Sequence, residues 1–255
     1  MLDLSTAPDL TSNAVEAAIP EGGGGDDGRA RIQTLQIPVH YGSVLDVVPR
    51  IHGGISRGKV WNDERLDPEF GGKVGETYPE AYPIETPGEG DAWDVVIHVG
   101  VGRQGSLRCE TQAHKLGYSK PDANDQLAPL LNLSPSEIAR IPEKYLDKNG
   151  QARGFGTGYE EFGEIESTRI GVSSLIQFLK QSGMQGEEVD QSFDPGRYLC
   201  DFVFYCSLCE AKRNGNKTLV LFVHVPPKDE NLSVERCTQA IRAVAWYMAR
   251  EKLKC

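Results

Sequence analysis

At 255 residues, 39% hydrophobic and 25% charged, the chain is long enough to bury the core of one large domain. Its 27 Lys and Arg against 37 Asp and Glu leave a net charge of −10 with no dense basic cluster, so nucleic acid is not an expected partner. No apolar run approaches the ~20 residues needed to cross a bilayer, and the first residues lack a basic start followed by an apolar stretch, so no membrane partner is expected and the cytoplasm is the expected location.

In chain order, a short helix is expected around Ser12 to Ile19, before Pro20 and the glycine run 22–25. Thr34 to Val39 alternates as a strand, and Val44, Val47, Val48 and Ile51 follow at helical spacing. From about 52 to 91 glycine, proline and acids dominate, which reads as a long irregular insertion. Asp94 to Val99 is a β-branched run that suits a strand buried on both faces. After the glycine turn 100–105, Leu107, Cys109, Thr111 and Ala113 alternate with Arg108, Glu110, Gln112 and His114, which puts Glu110 on a polar face. A second irregular insertion is expected at about 120–165, with a helical piece near Ser136 to Tyr145. Ser167 or Thr168 is placed to cap a helix whose Val172, Leu175, Ile176 and Leu179 face a core, ended by Gly183.

Another helix is expected after Pro195-Gly196, with Leu199, Phe202, Val203, Cys206 and Cys209 inward and Cys200 in its first turn. Leu219 to Val225 reads as an interior strand closed by Pro226-Pro227, and Ser233 as the cap of a last helix with Val234, Cys237, Ile241, Val244, Ala245 and Met248 inward. Strands alternating with helices predict an α/β protein, a three-layer α/β/α sandwich on a largely parallel twisted sheet, as a single domain over 1–255.

The chemistry concentrates between Pro195 and Pro227. The six cysteines are too sparse for a disulfide framework, so free thiols are expected. Cys200 at a helix N-terminus would feel the positive end of the dipole and unpaired backbone donors, which favour a thiolate. The next strand delivers His224 near its C-terminal end, the edge where sites assemble in open α/β sheets. From spacing alone, a structural cysteine beside a core histidine would read the same way.

The string Gly196-Arg197-Tyr198-Leu199-Cys200-Asp201-Phe202, followed by Phe222-Val223-His224-Val225-Pro226-Pro227, resembles the nucleophile and histidine motifs of the pyroglutamyl peptidase I family. Ile97 to Gly100, the turn leading to Glu110, Gly117-Tyr118 with Asp122, Ile37 to Tyr41 and the helix of 167–180 are similar to further family elements. The family's opening strand and its Gly-Phe-Gly-Pro-Phe loop have no counterpart, and the likeness is expected to begin near Asn13. The resemblance implies a cysteine omega-exopeptidase acting on peptides with an N-terminal pyroglutamate. In it, Cys200 is nucleophile, His224 general base and acid, and Glu110 the group that orients the histidine. The first-turn amides near Leu199 and Cys200 are the expected oxyanion donors, with Gly196 and Gly100 in the same substrate region. No metal or cofactor is implied, and the oligomeric state is left open.

Two other classes compete. A family member without activity, acting as a binding or structural protein, is suggested by the lack of the aromatic loop. A dinucleotide-binding oxidoreductase is suggested by Gly100-Val101-Gly102-Arg103-Gln104-Gly105 after a strand, with Asp122 or Asp125 at the distance of a ribose acid. Against the latter, the residues after Gly105 alternate with period two instead of opening a helix. Cys206 and Cys209 form a C-x-x-C on the apolar face of a helix and are read as core, as is His98. His114 could lie near Glu110 without a role, and His40 and His52 carry no signal.

Overall fold

The computed structural model describes residues 2–4, 8–10, 29–53, 60–61, 83–84, 86–87, 91–228 and 230–254. The helix expected at Ser12 to Ile19, Asn13, the glycine run 22–25 and most of 54–90 lie outside the described residues. Two short antiparallel pairs, β1 (Leu2–Asp3) with β2 (Arg29–Ala30) and β3 (Val60–Trp61) with β4 (Pro83–Ile84), form small sheets of their own.

The main sheet has four strands. They are β5 (Val95–Val101), β6 (Leu107–Glu110), β9 (Val189–Ser192) and β10 (Leu219–Val225), in the order β5-β10-β6-β9. β10 runs parallel to β5 and antiparallel to β6, and β6 runs parallel to β9, so the sheet is mixed and mostly parallel. A second pair, β7 (Gln112–His114) with β8 (Ile165–Ser167), continues from β6 after a break at Thr111.

β10 is apolar on both alternating faces because helices cover both. Leu219, Leu221 and Val223 enter one core with α3 (Val172–Gln181) and α5 (Val234–Lys252). Val220 and Phe222 enter the other with α1 (Tyr41–Ile51) and α4 (Leu199–Arg213). This is the predicted three-layer α/β/α arrangement. In α1 the four apolar positions of the sequence pattern, Val44, Val47, Val48 and Ile51, are all buried. Burying each side chain is worth about 1.5–3 kcal/mol, which outweighs the modest helix propensity of valine and isoleucine.

Several expectations change. Thr34 to Val39 is not a strand: only Gln36 makes a bridge. Leu35 and Ile37 still point inward against Val47 and Ile51, so the alternation reports burial, while Pro38 has no N–H to give a ladder. β5 is not buried on both faces. Among the described residues it is a sheet edge, with Val99 52% and Val101 68% exposed. α3 is capped by Gly171, and Thr168 instead donates to Val220 O and accepts from Ile170 N. In α5 the Ser233 cap forms, its Oγ accepting from Arg236 N at 3.1 Å, but Val234, expected inward, is exposed.

Residues 120–165 hold α2 (Pro135–Ile138), a 3-10 turn at Glu143–Tyr145 and isolated bridges, and they supply Phe155, Tyr159 and Phe162 to the core beside α4. Phe155 stacks on Phe202 with ring centroids 4.1 Å apart.

Candidate active site

Glu110 and His224 come from neighbouring antiparallel strands, where Phe222 is opposite Glu110 and His224 opposite Arg108. Alternation sends Glu110, Arg108, Phe222 and His224 to the α4 face, while Cys109 and Val223 pack on the α3/α5 face. His224 Nδ1 lies 2.7 Å from Glu110 Oε1, and both side chains are buried. The carboxylate therefore fixes the ring orientation and leaves Nε2 as the nitrogen for chemistry. The polar face of β6 predicted from alternation is turned into the molecule, not to solvent.

Cys200 is the second residue of α4, as the turn signal at Pro195-Gly196 predicts. Gly196 takes φ +88°, which lets the chain turn into the helix. The first helical bond runs from Phe202 N to Tyr198 O at 2.9 Å, so the amides of Leu199, Cys200 and Asp201 have no partner within the helix. Leu199 itself anchors the turn in the aromatic core.

The sulfur sits over Gly100, the ladder partner of His224 on β5. A Cβ at Gly100 would lie 3.1 Å from Cys200 Sγ and 2.8 Å from Phe222 Cζ. Gly102 is similarly bare, because a Cβ there would meet Arg108 Nη2 and come within 2.9 Å of His224 Cβ. The glycines that resembled a nucleotide loop are thus the floor on which the thiol and the imidazole rest. After Gly105 the chain enters β6, so no helix begins there to receive a pyrophosphate.

The thiol differs from the sequence expectation. Burial, then the negative charges of Glu110 and Asp201, push Cys200 up to about 11, against a smaller downward pull from its own backbone N–H. The helix start does not by itself produce a thiolate, because burial first, and then the two carboxylates, oppose the charge.

Asp201, fully buried beside Cys200, organises the first turn of α4 and carries no motif signal beyond its place in the string. Its Oδ1 accepts the backbone N–H of His114 at 3.1 Å, and its Oδ2 is 3.2 Å from His114 Nδ1. Arg197 Nη1 lies 2.7 Å from the same ring nitrogen, and Tyr118 donates to His114 O. His114 therefore belongs to Asp201 and not to Glu110. Burial pushes the Asp201 carboxyl up, while His114 and Arg197 pull it back.

Other singled-out residues are structural. Asp122 closes the N-terminus of α1 by accepting from Tyr41 N at 3.0 Å. Cys206 and Cys209 are fully buried among aromatics, with Tyr159 Oη 3.3 Å from Cys206 Sγ. Among the described residues no group of three or more His, Cys, Asp or Glu is placed to hold a metal, and no helix is long and apolar enough to cross a membrane.

His98 is half-buried and stacks on Phe222, its Nε2 without a partner. His52, which gave no signal in the sequence, is buried with Nε2 2.6 Å from Ser207 Oγ. Only its place at the end of the α1 apolar stripe hints at this.

No family model matches the chain. A stretch of 53 residues, 21% of the chain, is 40% identical to mouse pyroglutamyl-peptidase 1 and spans 23% of that protein. A stretch of 72 residues, 28% of the chain, is 32% identical to the human pyroglutamyl-peptidase 1-like protein and spans 34% of it. The chain thus matches about a quarter to a third of the length of these relatives. Among solved structures, pyroglutamyl peptidase I of Bacillus amyloliquefaciens superposes with a TM-score of 0.46 at 18% identity, over 62% of this chain and 68% of that one. The pyrrolidone carboxyl peptidase of Fervidobacterium islandicum gives 0.45 at 20% identity, over 62% and 69%. Over those short stretches the chain is similar in sequence to the pyroglutamyl-peptidase 1 proteins.

Proposed function

We propose that the chain is a cysteine omega-exopeptidase that removes an N-terminal pyroglutamyl residue from peptides. The observation that carries this reading is the buried His224–Glu110 pair at 2.7 Å, set beside the glycine over which the Cys200 sulfur lies. Because the thiol is held protonated at neutral pH, His224 acts as a base at the moment of attack. Its Nε2 takes the Sγ proton as the sulfur bonds to the pyroglutamyl carbonyl carbon. The unpaired amides of the α4 first turn face the charge that develops on the carbonyl oxygen.

His224 then returns the proton to the departing amine as the C–N bond breaks, which leaves a thioester on Cys200. Water, deprotonated by the same nitrogen, displaces the sulfur and frees pyroglutamate. Glu110 holds the ring and balances its charge while it is protonated.

Hydrolysis of a fluorogenic pyroglutamyl amide tests the reading. Turnover is expected to vanish in Cys200→Ala and to persist in Cys209→Ala, since Cys209 is sealed in the core. Activity retained by Cys200→Ala would overturn the assignment.

A further inference from the structure

Arg108 is a buried cation that the proposed chemistry leaves unused. It is 8% exposed and stands opposite His224 in the β6–β10 ladder, so the two side chains leave the same face of the sheet. They meet at Gly102, where a Cβ would touch Arg108 Nη2 and lie 3.2 Å from His224 Cδ2.

Among the described residues the guanidinium makes one hydrogen bond, from Nη2 to Arg103 O at 3.2 Å. The acids nearby are engaged elsewhere. Glu110 holds His224, and Asp190, the ladder partner of Arg108 on β9, accepts from Ser106 Oγ at 2.9 Å. Arg103 adds a second, exposed cation at the same lip. Burial first and Arg103 second pull Arg108 down from its usual range, against Glu110 and Asp190, so an arriving anion would relieve an unfavourable local balance.

We propose that Arg108, with Arg103 beside it, binds a carboxylate on the residue that follows the scissile bond, which makes pyroglutamyl dipeptides with a free α-carboxylate the preferred substrate class. This rests on the pyroglutamyl peptidase reading above. His224 delivers its proton to the leaving amine, so the departing residue lies on the His224 side, and Arg108 is the cation on that side. A planar guanidinium with unused donors suits a carboxylate in a bidentate pair. The chain as a whole, at net charge −10, repels anions, so this lip is where an acid can enter.

The test compares kcat/KM for pyroglutamyl-alanine, pyroglutamyl-alanine amide and pyroglutamyl-aspartate amide, with Arg108→Gln, Arg108→Lys and Arg103→Gln as variants. The wild-type chain is expected to prefer the α-carboxylate over the neutral amide by about tenfold or more, a preference that shrinks in high salt. Arg108→Gln should bring that ratio close to one, whatever its effect on the absolute rate, and Arg108→Lys should keep part of it.

Equal rates for acid and amide in the wild type, or a ratio that Arg108→Gln leaves unmoved, would overturn the proposal. A preference for pyroglutamyl-aspartate amide over the α-carboxylate would overturn the dipeptide assignment. If the chain hydrolyses none of the peptides, the peptidase reading fails separately. The same ratio is then read from protection of Cys200 against iodoacetamide, where no difference between acid and amide sinks the anion site.

Discussion

Asp201 Oδ1 accepts the backbone N–H of His114 at 3.1 Å, so the first turn of α4 is tied to β7 immediately beside the thiol. A buried carboxylate there serves two ends. It registers the Cys200-bearing turn against the sheet, and its charge adds to the burial and the Glu110 charge that push the thiol up. Asp201→Asn preserves an acceptor while removing the charge, so it should shift the pH dependence of Cys200 alkylation to lower pH. Asp201→Ala leaves His114 N–H and Arg197 without that partner and should cost about 3–5 kcal/mol in urea unfolding, as expected for breaking a buried charged cluster. An unchanged alkylation profile in Asp201→Asn would separate the carboxylate from the thiol.

With Cys200 near 11, well under one thiol in a thousand is ionised at neutral pH, about a hundredfold less than for a free cysteine. Iodoacetamide should therefore modify Cys200 roughly a hundred times more slowly than a model thiol at pH 7, with the rate climbing into the strongly alkaline range. Fast, selective labelling at pH 6 is what the helix-terminus argument alone would give.

The contrast shows what the sequence makes legible. α4, β10 and the Ser233 cap follow from short-range signals: an apolar period, a proline or glycine stop, a capping hydroxyl. The burial of Glu110 and the raised thiol do not, because they depend on which strands become neighbours. The polar side chains of β6, Arg108 and Glu110, share their face of the sheet with Phe222 and His224 on β10 and are buried there. Likewise the glycines at 100 and 102 fit a nucleotide loop by spacing, and only the register against β10 reveals that they make room for Cys200 and His224. Residues 120–165 hold little regular structure, yet Phe155, Tyr159 and Phe162 are core. Their four- and three-residue spacing is that of a helix, but Gly154, Gly156, Gly158 and Gly163 lie among and beside them and the backbone there is irregular, so the spacing points to no element.

Phe155 tests that last point. Its ring is stacked on Phe202 and lies 4.7 Å, centroid to centroid, from Tyr205. Phe155→Ala should lower the unfolding free energy by about 3–5 kcal/mol, the range for deleting a fully buried aromatic. A surface segment would lose under about 0.5 kcal/mol, so urea denaturation distinguishes the two cases.

Glu110→Gln keeps the size of the side chain and removes the charge that balances a protonated His224. The expected result is a fall in kcat of roughly 10²- to 10⁴-fold with a small change in KM, since the partner acts mainly when the ring is charged. A rise in KM at constant kcat would instead place Glu110 in substrate binding.

His52 gives the fold a pH dependence that can be read without any activity. Its ring is 1% exposed, and burial, with His98 nearby, pushes it down to about 3. In the unfolded chain the same ring titrates near 6.5. Between those values the unfolded state binds the proton and the folded state does not, so stability rises with pH across that window. The stabilising contribution is present above pH 6.5 and is lost as pH falls toward 3. Between pH 7.5 and 5 the loss from this one group is about 2 kcal/mol. His52→Gln keeps a polar atom within reach of Ser207 but cannot be protonated, so it should remove that share of the acid sensitivity. The measurement is the difference in urea unfolding free energy between the two pH values for each form. Equal slopes for wild type and His52→Gln would mean that the ring accepts its proton without unfolding, through an opening of the α1–α4 contact where Ser207 holds it.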